Sequence, residues 1–302
     1  MKIGRSLNKA QHALRIYGVY GAAQEFLIRK TCWSINGYSF ESEAKQTSIS
    51  DQNSYLKICE LAVSNQEVFS NFRRCHEYRL ILEHVTKSFG KKYLKIALRN
   101  ESALEYYRRI KVQNELGNPV VLNFKGIGHS SPTTIRYLKV LVQIIEIFGS
   151  LDNKVICEIG AGFGGQAHAI AVNQNVKKYI LYDLPPVLEL NRKFLGSIAG
   201  LEKFEFIDGR DPSELYSDLL ISNYAFSELN REVQMMYLER VVLKAKSGYI
   251  TWNELSFIEL GGLSVDEIIE KIPNSFLIKE DPLTYKNNVI IVWGVPATYK
   301  SS

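Results

Sequence analysis

The stretch from residue 153 to residue 165 reads NKVICEIGAGFGG. An apolar run ends in Glu158 and Ile159, and four glycines follow within six residues. Glycine admits positive φ and puts no Cβ between the backbone and whatever lies over it, so a cluster of this kind marks a turn that something approaches closely. The run before it reads as a strand, and GGQAHAIAVNQN after it reads as a helix. Strand, glycine turn and helix form the unit that presents backbone N–H groups and a helix N-terminus to an anionic or nucleotide-like ligand.

Moving outward from this unit, the second half of the chain keeps one rhythm. KKYILYDL reads as a strand and is followed by a helix opened by Pro185-Pro186. KFEFIDG and SDLLISNYAF read as strands, REVQMMYLERVVLKA as a helix, SGYITWNE as a strand and LSVDEIIEKI as a helix. NSFLIKEDP and NNVIIVWG close the series with no helix between them, so they are expected as an antiparallel hairpin. The alternation implies right-handed crossovers. The expected fold class is therefore α/β, a Rossmann-like seven-stranded doubly wound sheet with its last strand antiparallel. Ligands of such sheets bind at the carboxyl ends of the strands.

A mostly helical region precedes the sheet. FSNFRRCHEYRLILEHVT and ALEYYRRIKVQNELG space aromatic and aliphatic residues by three and four, as a buried helix face requires, and Gly117 and Pro119 stop the second. NPVVLNFKGIGHSSP reads as a partly extended loop, and Ser131-Pro132 opens a further helix. The expected division is a helical cap or acceptor-binding region over 1–130 and a ligand-binding α/β domain over 131–302. Residues 34–54, rich in Ser, Asn and Gln, are the expected flexible connection.

Composition narrows the function classes. Of the 302 residues 46% are hydrophobic and 23% charged, as in globular proteins, and no apolar run approaches the roughly 18–20 residues of a membrane span. Arg15, Gln24 and Glu25 interrupt the N-terminal apolar stretch, which argues against a secretory signal. Four cysteines without CxxC spacing are expected as reduced thiols of a cytoplasmic protein, not as a zinc site. Residues 1–150 carry 22 Lys+Arg and 12 Asp+Glu (+10), and residues 151–302 carry 15 and 20 (−5), which sums to the net +5. A basic first half suits phosphates, the inner face of a membrane touched peripherally, or plain solvation. A homo-oligomer is compatible with the same surface.

Gly160, Gly162 and Gly165 satisfy GxGxxG, the dinucleotide fingerprint. Three details point instead to S-adenosylmethionine, with S-adenosylhomocysteine as product. Glu158 stands two residues before Gly160, where an acid could meet the cationic amino-acid end of the ligand. The motif begins halfway along the chain, and the terminal hairpin suits a seven-stranded sheet better than a six-stranded dehydrogenase sheet. Asp183 ends the second strand, 21 residues after Gly162, where an acid can accept both ribose hydroxyls. Asp208 ends the third strand and is placed for the adenine amino group. Gly160, Ala161, Gly162, Leu184, Gly209 and Asn223 complete the expected cofactor-binding set.

These residues carry a family resemblance. ICEIGAGFGGQA with YILYDLP resembles the class I S-adenosylmethionine-dependent methyltransferases, and more narrowly the sugar O-methyltransferases of bacterial surface-polysaccharide clusters such as O-antigen or capsule. That family's glycine core is matched from Glu158 to Gly165, its D-x-P by Asp183-Leu184-Pro185 and its upstream G-N-P by Gly117-Asn118-Pro119. SNYAFSE (222–228) resembles its segment after the fourth strand, and Ala161 stands where the family often has glycine. The likeness covers roughly residues 100–295 and implies methyl transfer to a hydroxyl of a sugar or polysaccharide acceptor.

An alkoxide-forming acceptor benefits from a general base, worth roughly 10²–10⁴-fold. Glu228, just past the fourth strand, and His129, in the GIGHSSP loop, are the two candidates; each has a structural alternative, as helix cap and loop tie. Tyr224 and Asn223 could orient the acceptor, Asn253 and Glu254 stand behind them, and His168 is expected to be structural. No metal cluster is apparent; Asp208 and Asp211 are close, but Asp208 is assigned to adenine. Nucleic-acid or small-molecule methylation is the second reading, although nucleic acid is disfavoured because no N-P-P-Y-like sequence follows the fourth strand. An NAD-dependent oxidoreductase is a more distant third.

Overall fold

The structure is a computed structural model and describes residues 32–33, 53–254 and 260–296. The expected connection at 34–54 lies almost wholly outside the described residues, as does the chain before residue 32. Among the described residues no helix is long and apolar enough to cross a membrane.

The first described helices are α1 (Asn53–Ser64), α2 (Gln66–Asn71) and α3 (His76–Ile81). The periodicity of residues 69–86 predicts one continuous helix, but the chain breaks there into α2, a 3₁₀ turn at Phe72–Arg74, and α3. The cause is a long-range one. The Arg73 backbone N–H donates to the Gly117 carbonyl at 3.0 Å, and Cys75 turns extended with φ −63° and ψ 138°. Gly117 has φ +74°, and a Cβ there would come within 2.5 Å of the Phe72 ring. The neighbouring Asn118 side chain donates to Asn71 Oδ1 at 2.8 Å. Helices α4 (Lys87–Ala97) and α5 (Ala103–Ile110) follow, then a short antiparallel ribbon of β1 (Leu122–Phe124) and β2 (Gly128–Ser130) where the sequence suggests an extended loop.

Helix α6 (Pro132–Phe148) starts where Ser131 accepts from the Thr133 N–H and Pro132 occupies the first turn, and it ends at Gly149 with φ +73°. The sheet then assembles from β3 (Val155–Ile159), β4 (Lys178–Asp183), β5 (Phe204–Asp208), β6 (Leu219–Asn223), β7 (Gly248–Trp252), β8 (Phe276–Lys279) and β9 (Val289–Trp293). Between them run α7 (Gly165–Ala171), α8 (Pro185–Ile198), α9 (Arg231–Arg240) and α10 (Val265–Lys271). The spatial order is β5-β4-β3-β6-β7-β9-β8, parallel except for β9, which lies antiparallel between β7 and β8. This is the α/β, seven-stranded, doubly wound sheet with an antiparallel last strand that the sequence predicts.

Strand β3 is buried on both faces, which is why it reads as an apolar run instead of an alternation. Ile156, Leu181 and Ile221 face a core shared with α1, α6 and α8, whereas Cys157, Ile180 and Ile250 face α9 and α10. The first of these cores is continuous from Tyr55 and Phe72 through Phe163 to Val292, so the helices before residue 130 and the sheet are packed into one interior.

One ion pair sits inside that interior. Arg73 has no exposed surface, its Nε donates to Glu83 Oε1 at 2.6 Å, and its guanidinium lies 4.5 Å from the centre of the Phe163 ring. A buried charge whose partner is removed costs about 3–5 kcal/mol. Arg73→Met should therefore destabilise the fold by that order, and adding Glu83→Gln should recover part of the loss, as read from urea midpoints.

Candidate active site

At β3 the chain changes direction across the sheet. Its neighbour on one side is β4 and on the other β6, so connections leave it both ways and a crevice opens at the carboxyl ends. The glycine turn lies in this crevice. Gly160, Gly162 and Gly164 have φ of +76°, +57° and +88°, and the Gly160 N–H donates to the Tyr182 carbonyl at 2.8 Å. The close approaches at these glycines are made by protein. A Cβ on Gly160 would lie 2.0 Å from the Ala225 Cβ, and one on Gly162 would lie 2.8 Å from Leu82 Cδ1. One on Gly165 would lie 2.3 Å from the Tyr137 ring. The helical region thus reaches over the turn, and the missing side chains leave room for it.

Asp183 ends β4 and is half-buried beside this turn. Its Oδ2 accepts the Gly162 N–H at 3.0 Å and its Oδ1 the Leu184 N–H at 2.8 Å. Burial pushes its carboxyl up to about 7, against the pull of those N–H donors. Each oxygen keeps an acceptor lone pair, so the group that shapes the turn can also accept hydroxyls. Glu158 lies deeper, 2% exposed, with Oε2 accepting from the Tyr179 hydroxyl at 2.8 Å. Burial raises it to about 8, and the tyrosine offsets part of the shift.

Asp208, which pairs across the ladder with Asp183, is half-exposed and held by Arg210, whose Nη2 donates to its Oδ2 at 2.6 Å and whose Nε bridges both oxygens. That side-chain hydrogen bonding lowers its carboxyl below the ordinary range. Gly209 closes the edge of the crevice: its N–H donates to the Asp183 carbonyl, and its own carbonyl accepts from the Tyr237 hydroxyl at 2.9 Å.

On the other side of β3, β6 delivers Asn223 and Tyr224 to the crevice. The Asn223 Nδ2 is buried without a hydrogen-bond partner. Tyr224 has φ +71°, its N–H donates to the Thr251 carbonyl at 3.0 Å, and its hydroxyl donates to Glu280. Glu228 ends the 3₁₀ turn Ala225–Glu228, and its Oε1 accepts from Asn253 Nδ2 at 3.3 Å. Burial raises its carboxyl above the usual value. The cap of α9 is Asn230, whose side chain accepts the Val233 N–H, so Glu228 does not serve as that cap. Glu254 accepts from the Trp252 indole at 3.3 Å.

His129 is exposed on β2, which leads into the N-terminal end of α6; its carbonyl accepts from the Tyr107 hydroxyl at 3.4 Å. His168 is fully buried, with Nδ1 2.9 Å from Gln113 Nε2, and burial lowers it to about 4. Among the described residues no three His, Cys, Asp or Glu side chains gather as a metal site.

The structure adds residues that the sequence reading did not single out. Arg136 and Lys139 of α6, Tyr93 of α4 and Glu280 after β8 converge with Asn223 and Tyr224 on one narrow recess. An arginine and a lysine three apart on a mostly apolar helix were the available signal, but such residues ordinarily face solvent.

The chain matches no known family model and none of the curated proteins compared with it. Solved structures are similar to part of the chain at low identity. The pyocyanin biosynthetic protein PhzM is 10% identical at a TM-score of 0.40, over 53% of this chain and 56% of its own. The mitomycin 7-O-methyltransferase MmcR is 13% identical at a TM-score of 0.40, over 72% and 69%. Precorrin 8w decarboxylase of Methanobacterium thermoautotrophicum is 15% identical at a TM-score of 0.35, over 51% and 88%.

Glu158 gives the site a testable pH signature. Its folded-state value lies above its unfolded one, so the stability it leaves intact at low pH is lost as pH rises from about 4.5 to about 8. Glu158→Gln keeps the shape and removes the charge. Its melting temperature relative to the natural chain should climb across that window and level off above it, measured by calorimetry between pH 5 and 9.

Proposed function

We propose that the protein is an S-adenosylmethionine-dependent O-methyltransferase whose acceptor is a sugar hydroxyl, of the kind found in bacterial surface polysaccharides. The observation that carries the reading is the pairing of Asp183 with the glycine turn at the switch point of a sheet ordered β5-β4-β3-β6-β7-β9-β8. A dinucleotide-binding sheet is built from two mononucleotide halves in the order 3-2-1-4-5-6 and has no antiparallel strand inserted before its last parallel one. The residues present suit the cofactor. Asp183 retains acceptor capacity for two hydroxyls, and Asn223 offers a buried amide donor with no partner of its own.

The bound cofactor would supply a methyl group on a cationic sulfur, activated for in-line displacement. The protein's part is then placement and proton removal. Asp183, beside the glycine turn, would hold the nucleoside end, and Asn223 would orient the reacting end. A sugar hydroxyl is about as weakly acidic as water, with a pKa near 15.7, so a base that takes its proton as the bond forms raises the rate. Glu228 would take this role, with Asn253 donating to its carboxylate. The burial that raises Glu228 also makes it a better base than an exposed carboxylate. His129, exposed on β2 just before α6, is the second candidate.

Calorimetry with S-adenosylhomocysteine and with NAD tests the cofactor. The first should bind and the second should bind far more weakly; NAD binding without S-adenosylhomocysteine binding overturns the reading. Asp183→Asn should weaken S-adenosylhomocysteine at least tenfold, the equivalent of about 1.5–3 kcal/mol for a charge-assisted hydrogen bond. In the natural chain affinity should fall as pH drops through about 7, because protonation removes the acceptor.

The base is tested with a methylated acceptor in hand. Glu228→Gln should cost roughly 10²-fold in kcat with cofactor affinity little changed. Turnover of the natural chain should rise with pH through a value above the ordinary carboxylate range, and the Gln variant should lose that dependence. A His129→Gln variant that shows the larger loss would move the role to the histidine.

A further inference from the structure

The recess between α6, β6, β7 and β9 is the least explained feature of the molecule. Its walls include Tyr93, Arg136, Lys139, Asn223, Tyr224 and Glu280, and none of them belongs to the glycine turn. Arg136 is 8% exposed and Lys139 4%. Among the described residues no carboxylate lies within ion-pairing distance of the Arg136 guanidinium. Its near neighbours are the faces of Tyr137 and Tyr224, 5.5 Å and 5.9 Å from the ring centres. Lys139 donates to a neutral group, Gln143 Oε1, at 2.6 Å. Burial lowers Lys139 to about 8, which leaves it mainly charged at neutral pH.

The recess has one carboxylate in its wall, and that group is already engaged. Glu280 accepts from the Tyr224 hydroxyl, from the Thr284 N–H at 2.8 Å and from the Thr284 hydroxyl. Within the wall two buried cations therefore face one hydrogen-bonded anion, and the carboxyls of Glu228 and Glu158 lie outside it within electrostatic reach of Arg136. A guanidinium taken out of water without a carboxylate, phosphate or full set of acceptors is unfavourable, and such sites commonly hold their partner in a ligand. The position says which ligand. The recess takes its strand lining from β6, β7 and β9, across β3 from the strand that carries Asp183, and it includes Asn223 and Tyr224 at the end of β6.

We propose that this recess binds a carboxylate of the acceptor through Arg136, with Lys139 as the second cation, and so selects acidic sugars of the uronic acid type over neutral ones. The proposal rests on the methyl-transfer reading for the identity of the acceptor, and it assigns Arg136 to specificity. A guanidinium matches a carboxylate in a two-pronged geometry that a lysine does not reproduce. Tyr224 would then serve as the wall that keeps the Arg136 plane in place.

The test uses the full chain and two probes, D-glucuronate and D-glucose, followed by ligand-observed NMR with and without saturating S-adenosylhomocysteine. Glucuronate should bind at least tenfold more tightly than glucose in the natural chain, a comparison that needs no variant. Arg136→Met should abolish that preference, and Arg136→Lys should restore it in part. Calorimetry of S-adenosylhomocysteine on the same variants separates the two sources of carboxylate: an affinity within about twofold of the natural chain assigns the recess to the acceptor. A large loss there would give Arg136 to the cofactor's own carboxylate and overturn the proposal. Equal binding of the two sugars would overturn it as well, whereas failure of S-adenosylhomocysteine to bind the natural chain at all would strike at the methyl-transfer reading itself.

Discussion

The Arg73 guanidinium holds together two parts of the chain that a sequence reading separates. It pairs with Glu83 inside the core, donates to the Gln113 carbonyl and lies on the ring of Phe163, the residue between Gly162 and Gly164. Gln113 in turn donates to the Gly165 carbonyl at 2.8 Å and to His168. The path runs from the N-terminal helices to the middle and the far end of the glycine turn through buried groups. A low-dielectric interior makes each link costly to leave unmade, so the turn and the helices that cover it take their shape together. The three alternating positive-φ glycines, the break between α2 and α3, and the tight turn at Gly117 all lie along or beside that path.

What the sequence makes legible depends on the range of the interaction that decides it. Strands buried on both faces have to be apolar throughout, and their ends carry Asp183, Asp208 and Asn223 because the crevice begins there. Runs such as KYILYD can therefore be read with no knowledge of their neighbours. Residues 69–86 mislead for the opposite reason. Their periodicity is helical on both sides of the break, and the group that breaks the helix, the Gly117 carbonyl, lies more than forty positions away along the chain. The ribbon at β1 and β2 escapes for a related reason: its three-residue strands are too short for alternation to register.

The candidate site divides along the same line. Glu158, Asp183 and the glycines announce themselves because their spacing to one another is fixed by one strand–turn–helix unit and the next strand. Arg136 and Lys139 do not. Most of the residues along α6 are buried, on more than one face, so an arginine there has no sequence signature that distinguishes it from one reaching solvent. The orphaned amide of Asn223 and the saturated Glu280 are likewise visible only when every donor and acceptor around them is accounted for.

Tyr224 shows how the two halves of the crevice are coupled. An aromatic residue at φ +71° carries a backbone strain of about 1–3 kcal/mol, and it persists only where the surroundings over-determine it. Here the N–H is held by Thr251, the carbonyl by the Ser227 hydroxyl and N–H, and the hydroxyl by Glu280, while Arg136 lies against the ring. The strained turn places the Ala225 methyl against Gly160, where no other residue than glycine would fit, and points the tyrosine ring into the recess. One residue thereby sets the spacing between the glycine turn on one side and the cationic recess on the other. A reaction that needs a donor and an acceptor aligned across that gap requires such a spacer to be rigid, because misplacement by about 1 Å costs on the order of 10²-fold in rate. The strain is consistent with that demand: a relaxed turn at the end of β6 would leave the Ala225–Gly160 contact, and the distance it fixes, free to change.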